Sequence, residues 1–412
     1  MRSTATKKSR FAAVAAAAAI FALTLAGCSS SGGGSEKEKA EVGVRDNVIY
    51  LGASNTLSGA GAANCTPVTT GAKLYFDKVN SEGGVAGHNI NIEVLDDAYE
   101  PARALANMRT FENEKLAVVG ACGSATAAAV YKTLSTKGIP YLFPSNGVAE
   151  VVNPAQPGIF QIIPLYEDQA ATLIRYGFNE DGPGSVFVVA NPLGETETAI
   201  ANAEKAAKDL GGSFTSSVVT ALGTPDYTPV ALQIKKAAPD YLVLSMGGSD
   251  VAKLVNVLIE QDAMPTKLIL ATTSGVTGAF LSSYNKAAAD KVRMASAIRI
   301  PAAPDSECAQ LLADTKFAVD PIAIRGCATG QAVVKAIEET KPLTRANLIK
   351  TIDGWKDKDI SPGVAAPLTY SPTDHIGITQ LFMVQPDGTE FKTVATCPYG
   401  ETAADQGDCS PS

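Results

Sequence analysis

Two doubly wound α/β lobes, each built on a parallel sheet, are the fold that this sequence predicts. Three observations carry that prediction. From Asn47 onward, short apolar runs alternate with helix-length segments, which is the pattern of βαβ units. The pattern restarts after Ile163, so there are two such blocks. The chain of 412 residues is also longer than one core usually supports.

Taken in order, Val48 to Ala53 reads as a short apolar strand. Thr66-Pro67 reads as a helix start, with Thr as N-cap and Pro at the first helical position. Val68, Ala72, Tyr75, Phe76 and Val79 then share one face, and Gly83-Gly84 stops the helix. "INIEVL" alternates as a strand ending at Asp96-Asp97, and Pro101 opens a helix with Leu105, Met108 and Phe111 inward. "LAVVGA" is a strand, Ser124 to Thr136 a helix and "IPYLF" a strand. In the second block "SVFVVA", "SSVVTA", "YLVLSM", "KLILAT" and "VRMASA" are strands, with helices between them. The block patterns change near Ile163, Ser296 and His375, so the chain crosses between lobes at those three places. No shorter internal repeat is visible.

The ends carry different information. "MRSTATKKSR" is basic, and Phe11 to Gly27 is apolar and Ala-rich, as in a signal peptide. The run falls short of the roughly 20 residues of a membrane span. Leu25-Ala26-Gly27-Cys28 resembles the lipobox of bacterial lipoproteins. That resemblance implies cleavage before Cys28 and a diacylglycerol group on its thiol. "SSSGGGSEKEKAE" follows as a flexible, charged tether. Removing residues 1–27 takes the net charge from −8 towards about −12, which disfavours nucleic acid and anionic lipid as partners. Seven cysteines less Cys28 leave an even set, open to many connectivities. An exported chain would keep them oxidised. Two histidines and no CxxC make a structural zinc site unexpected.

Motifs of catalysis are absent from the sequence. There is no GxSxG elbow, no GxxxxGK[ST] phosphate loop and no HExxH. No cofactor is expected, and nothing in the chain asks for an enzyme. Asp96-Asp97 reads first as a solvated strand end. What remains are small, polar, Gly-containing loops at the carboxyl ends of strands: "SNTLSGAGAANC" with Ser58, "GACGSAT", "FPSNG", "ANPLGE", "MGGSD" and "TTSGVTG". Ligands of open α/β sheets bind at such ends. Ser124 and Thr126 stand where a helix begins, and its free N–H groups favour a carboxylate. Ser124 is equally readable as a plain N-cap, and the two roles are compatible.

"LGASNTLSGAGA", "GGVAGHNINIEVLDDAYEP", "VVGACGSATAAA" and "GIPYLFPSNG" resemble, in that order, the first half of periplasmic binding proteins of the Leu/Ile/Val type. "GTPDYTPVALQIKKAAPDYLVLSMGG" resembles their second lobe, and the likeness runs over roughly residues 47–392. It implies a Venus flytrap of type I: two lobes, three crossover strands, a ligand closed between them and delivery to the permease of an ABC importer. It implies no catalysis. A sensor subunit of the same fold, docking on a membrane receptor, is the alternative. The division expected is 1–27 signal, 28–46 tether, 47–163 with 299–374 as lobe one, 164–298 with 375–396 as lobe two, and 397–412 as a loose tail. The resemblance places the ligand's carboxylate on Gly123, Ser124 and the turn before Thr126. It places further head-group contacts on Ser145 and Asn146. It puts Leu193 where relatives usually carry an aromatic, and Ser249 and Asp250 where they hold an ammonium. An α-amino acid is therefore the first expectation, and a related amide or carboxylate the next. The protein is expected to be a lipid-anchored monomer outside the cytoplasm. Cys65 and Cys122 lie in loops that neighbouring parallel strands bring together, which predicts the pair Cys65–Cys122. Proximity in the tail pairs Cys397 with Cys409, and elimination contributes to pairing Cys308 with Cys327.

Overall fold

The computed structural model describes residues 41–59, 61–192, 196–399 and 408–411. The expectations on residues 1–27, on Cys28 and on Leu193 lie outside the described residues.

Lobe one starts with β1 (Val44–Arg45), β2 (Val48–Asn55), α1 (Ala62–Ser81), β3 (Asn89–Asp96), α2 (Pro101–Phe111), β4 (Ala117–Val119), α3 (Ser124–Thr136), β5 (Tyr141–Leu142) and β6 (Ile159–Phe160). Lobe two follows with α4 (Tyr166–Asp181), β7 (Ser185–Ala190), α5 (Thr196–Asp209), β8 (Ser213–Val219), α6 (Thr228–Ala237) and β9 (Tyr241–Ser245). It continues through α7 (Gly248–Glu260), β10 (Ile269–Ala271), α8 (Gly278–Ser283) and β11 (Val292–Ser296). The chain then returns to lobe one for α9 (Glu307–Leu312), α10 (Pro321–Glu339) and α11 (Arg345–Asp353), with α10 lying along α1. It ends in lobe two with β12 (Gln380–Asp387), β13 (Glu390–Pro398) and β14 (Ser410–Pro411).

The parallel strands run β3-β2-β4-β5-β6 in one sheet and β8-β7-β9-β10-β11 in the other. The two lobes therefore share one topology. In each, the first strand is flanked by the second on one side and the third on the other, which makes it a switch point where the loops diverge. β4 and β9 are buried along their whole length, as parallel strands covered on both faces must be. β12, β13 and β14 extend the second sheet antiparallel from β11. The three crossings run through Gln161–Leu165, Ala297–Ser306 and Ile376–Thr379. Two of them are tied together: the Gln161 N–H donates to His375 O at 2.9 Å, and Tyr370 Oη donates to Gln161 O at 2.8 Å.

Two local readings differ from expectation. Helix α1 begins at Ala62, not at Thr66, because the Gly61 carbonyl already accepts from Asn64 N and Cys65 N. Pro67 then sits in the second turn, where it forfeits a single backbone bond. Cys397 belongs to β13, and Ser410–Pro411 pair with Ala395–Thr396, so the described part of the tail is an edge strand. The Cys397–Cys409 disulfide holds it there. The other disulfides join Cys65 to Cys122 and Cys308 to Cys327. Among the described residues, no helix is long and apolar enough to cross a membrane.

Candidate functional site

The carboxyl ends of both sheets face one another, and each switch point is stitched by an asparagine. At the end of β2, Asn55 is fully buried. Its Nδ2 donates to Cys65 O and to Thr69 Oγ1, both at 3.0 Å, and its Oδ1 accepts from Cys122 N at 3.1 Å. One side chain thus ties the first turn of α1 to the loop after β4, and the Cys65–Cys122 disulfide closes the same seam. Asn191 does the equivalent after β7. Its Nδ2 donates to Thr220 O at 3.2 Å, and its Oδ1 accepts from Gly247 N at 3.0 Å.

Between these seams lies a cavity of about 70 Å³. Lobe one contributes Gly61, Asn64 and the disulfide from α1 and β4, Tyr99 from the loop after β3, and Gly123, Ser124 and Ser145. Helix α10 adds Ile322 and Arg325, the first crossing adds Ile163, and the start of α4 adds Tyr166. Across the gap stand Leu222, Gly247, Thr273, Ser274 and Thr277 of lobe two. The lobes meet closely here, since a Cβ on Gly247 would stand 3.1 Å from Asn64 Nδ2. Beyond Ser124 the cleft widens into an outer mouth lined by Ala125, Glu150, Pro192 and Glu197.

Gly123 turns the chain into α3 with φ at +134°, and a Cβ there would meet Thr126 Oγ1 at 2.5 Å. Only glycine fits both demands. The N-cap residue Gly123 gives α3 no side-chain cap, and the Tyr99 phenol stands at the Ser124 and Ala125 N–H groups that open the helix. Arg325 is the one charged residue on the cavity wall among the described residues. Its Nη2 donates to Ser145 Oγ at 2.6 Å, and its buried Nε has no partner. Burial brings the guanidinium down to about 10, with Tyr166 and Asp320 opposing, so it stays cationic at neutral pH. Burial raises the Tyr99 phenol, with the Ser124 hydroxyl and the Ser124 and Ala125 N–H groups beside it opposing, and Asn64 Oδ1 is a buried acceptor without a partner.

Of the described residues expected from the sequence, Gly123, Ser124 and Ser145 line the cavity, and Ser58, Thr126, Asn146, Ser249 and Asp250 are not among its lining. Ser58 is drawn to Asp96, donating to its Oδ2 at 2.6 Å. That bond, with Leu57 N and Ala98 N, holds the Asp96 carboxyl down to about 2. Thr126 Oγ1 donates back to Gly123 O at 3.1 Å. Asn146 is buried and accepts from Val148 N at 3.2 Å, turning the chain after β5. Ser249 lies in the first turn of α7, where Gly247 reaches the cavity instead. Asp250 is buried and accepts from Gly223 N at 2.8 Å, bracing the turn that carries Leu222. Asp97 is likewise structural, accepting from Ser54 and Thr56 at 3.0 and 2.8 Å. The loops singled out in the sequence also bring Gly61 and Asn64 of "SNTLSGAGAANC", Gly247 of "MGGSD" and Thr273, Ser274 and Thr277 of "TTSGVTG" to the wall, whereas sequence reasoning missed Tyr99, Tyr166, Leu222, Ile322 and Arg325.

A family model described as periplasmic binding protein matches residues 48–390. The chain belongs to that family. Periplasmic binding proteins of known structure share its fold. The fatty acid ABC transporter substrate-binding protein from Thermomonospora curvata superposes with a TM-score of 0.79 at 22% identity, covering 89% of this chain and 96% of that one. A branched chain amino acid ABC transporter protein from Thermus thermophilus with bound valine gives 0.76 at 18% identity, covering 86% and 97%. By sequence, the Leu/Ile/Val-binding protein BraC3 of Rhizobium johnstonii is 26% identical over 203 residues, 48% of this chain and 54% of that protein. An amino acid binding protein of Pseudomonas aeruginosa is 27% identical over 133 residues, 32% and 36% of the two chains. The matched stretches thus span about half and about a third of those relatives.

Proposed function

We propose that this periplasmic binding protein captures a small ligand between its lobes and hands it to the permease of an ABC importer. The observation that carries the reading is the small cavity at the carboxyl ends of both sheets, with three chain crossings beside it. Three crossings make a hinge, and hinge closure around a ligand is a two-state transition. Among the described residues the lining is made of small polar and apolar side chains with one guanidinium, which suits binding of a small molecule. Of the two similar structures, one is a fatty acid ABC transporter substrate-binding protein and the other holds bound valine, and both compounds carry a carboxylate. Ser124, at the start of α3, suits such a group.

A thermal-shift screen of amino acids, amides and small carboxylates finds the ligand, since one at 100 times its Kd adds about 2.7 kcal/mol. Ser124→Ala then weakens its binding tenfold to a hundredfold, because a hydrogen bond to a charged group is worth about 1.5–3 kcal/mol. Small-angle scattering should show compaction on binding. An unchanged affinity for Ser124→Ala, together with no compaction by a tight ligand, sinks the cleft assignment.

We also propose that the mature protein is held outside the cytoplasm by lipid on Cys28, on the strength of Leu25-Ala26-Gly27-Cys28 after an apolar run. Each buried CH₂ of an acyl chain contributes about 0.8 kcal/mol, so two or three chains anchor firmly. Cys28→Ser should abolish lipid labelling and release the protein from membrane fractions or leave it unprocessed. Retention with unchanged labelling contradicts the anchor.

A further inference from the structure

We infer that the ligand is an organic carboxylate bearing no ammonium group, paired with Arg325 inside the interlobe cavity. The inference rests on the binding reading above and narrows its ligand class. An α-amino acid is held most tightly where an anion holder faces an acid that takes its ammonium, neutral acceptors such as Asn64 Oδ1 doing so more weakly. Among the described residues, the cavity wall offers the anion holder and lacks the acid. Arg325 supplies a positive charge, and no described carboxylate lies within ion-pair distance of it. Asp320, on the same helix, is committed to capping α10 through Ile322 N and Ala323 N at 2.8 and 3.3 Å. Asp250, the acid that the sequence offers for an ammonium, is buried against the Gly223 turn and off the wall. Glu150 and Glu197 stand at the outer mouth, on the far side of Ser124.

A charge taken partly out of water needs an opposite charge or hydrogen bonds. Arg325 has one bond, to Ser145, and a buried Nε with nothing to donate to. A planar guanidinium with free donors fits a carboxylate's two oxygens. The N-terminus of α3, with the Ser124 hydroxyl and the Tyr99 phenol at its first turn, favours an anion and opposes an ammonium. Ile163, Leu222 and Ile322 beside these groups suit an apolar body on the same molecule.

Isothermal titration at neutral pH tests this with linear, branched and aromatic monocarboxylates of two to eight carbons. Each is compared with its primary amide, its amine and its α-amino acid. At least one carboxylate should bind, with its α-amino and amide counterparts at least tenfold weaker. Arg325→Met should weaken that carboxylate about a hundredfold while the unliganded protein melts as before. Arg325→Lys should recover part of the loss. The inference is overturned if an α-amino acid or amine is the tightest binder, if no carboxylate binds, or if Arg325→Met leaves carboxylate affinity unchanged. Compaction in scattering with an α-amino acid would overturn it while leaving the binding-protein reading intact. Failure of every compound in all four classes would count against both.

Discussion

Replacing Cys65 and Cys122 together by alanine is expected to cost about 4 kcal/mol of stability while changing ligand affinity by less than tenfold. The stability loss follows from chain entropy. The bond closes a loop with a sequence separation of 57, and in the chain-entropy model such a closure removes about 4 kcal/mol of freedom from the unfolded state. The small effect on affinity follows from the native contacts. Asn55 makes its bonds to the backbone of both residues, through Cys65 O and Cys122 N. Those bonds survive removal of the sulfurs, so the loops should keep their relative position. Both side chains are buried, and alanine avoids leaving an unpaired hydroxyl there. Urea unfolding monitored beside titration of the same sample separates the two quantities. A loss below about 1 kcal/mol, or a collapse of affinity at retained fold, would show that the bond acts on the native site rather than on the unfolded chain.

The periodicity of apolar residues made most of the architecture readable, because it is a local property. Helix α3 runs from Ser124 to Thr136, as the sequence predicts, and the inward residues Met108 and Phe111 of α2 are buried. The start of α1 was misread because Thr-Pro is a strong local signal. The carbonyl of Gly61 begins the helix five residues before that N-cap. The Cys397–Cys409 bond was legible from proximity, but the pairing of Ser410–Pro411 with Ala395–Thr396 was not, because two exposed residues carry no apolar alternation.

The cavity was less legible than the fold. Gly123, Ser124 and Ser145 follow strands directly, so the rule about carboxyl ends finds them. Arg325 follows no strand. It reaches the cavity because α10 returns from lobe two to pack on α1, a contact spanning some 250 residues. A signal was nonetheless present: "PIAIRGCATG" sets one cation in an otherwise small and apolar run. A helix so buried carries a charge rarely unless it is paired or used. The asparagines were also visible, since "ASN" and "VAN" end the first strand of each block. Their meaning required knowing that the two sheets share one strand order. Asp250 is the converse case: its place in the chain suits a ligand contact, yet it stands off the cavity wall with one oxygen accepting from Gly223 N and the other buried without a partner.

Gly326→Val is expected to destabilise the protein by about 4 kcal/mol and to disturb the cavity as well. Helices α1 and α10 cross backbone against backbone. A Cβ on Gly326 would stand 2.1 Å from Val68 O and 2.8 Å from Val68 C. From the other side, a Cβ on Gly71 would stand 2.0 Å from Ala323 O. Atoms of two helix backbones cannot rotate away as a side-chain tip can, so relief requires the helices to separate. Overpacking a core costs about 1–3 kcal/mol and occasionally more. Here the separation would also open packing along the rest of both helices, where lost contacts add cavity terms. Better helix propensity than glycine returns less than about 1 kcal/mol. Gly330 provides the graded comparison. A Cβ there would stand 3.1 Å from the Tyr75 Cβ and 3.3 Å from Ala72 O, contacts that ease when the two helices give by a few tenths of an ångström. Gly330→Ala should therefore cost under about 1 kcal/mol. Arg325 and Ile322 sit immediately before Gly326 on α10, and Asn64 and Cys65 lie in the first turn of α1. Whatever spreads the helices thus moves two walls of the cavity apart, and carboxylate affinity should fall with stability in Gly326→Val but hold in Gly330→Ala. Equal unfolding midpoints for the two variants would show that the helices have room that these distances deny.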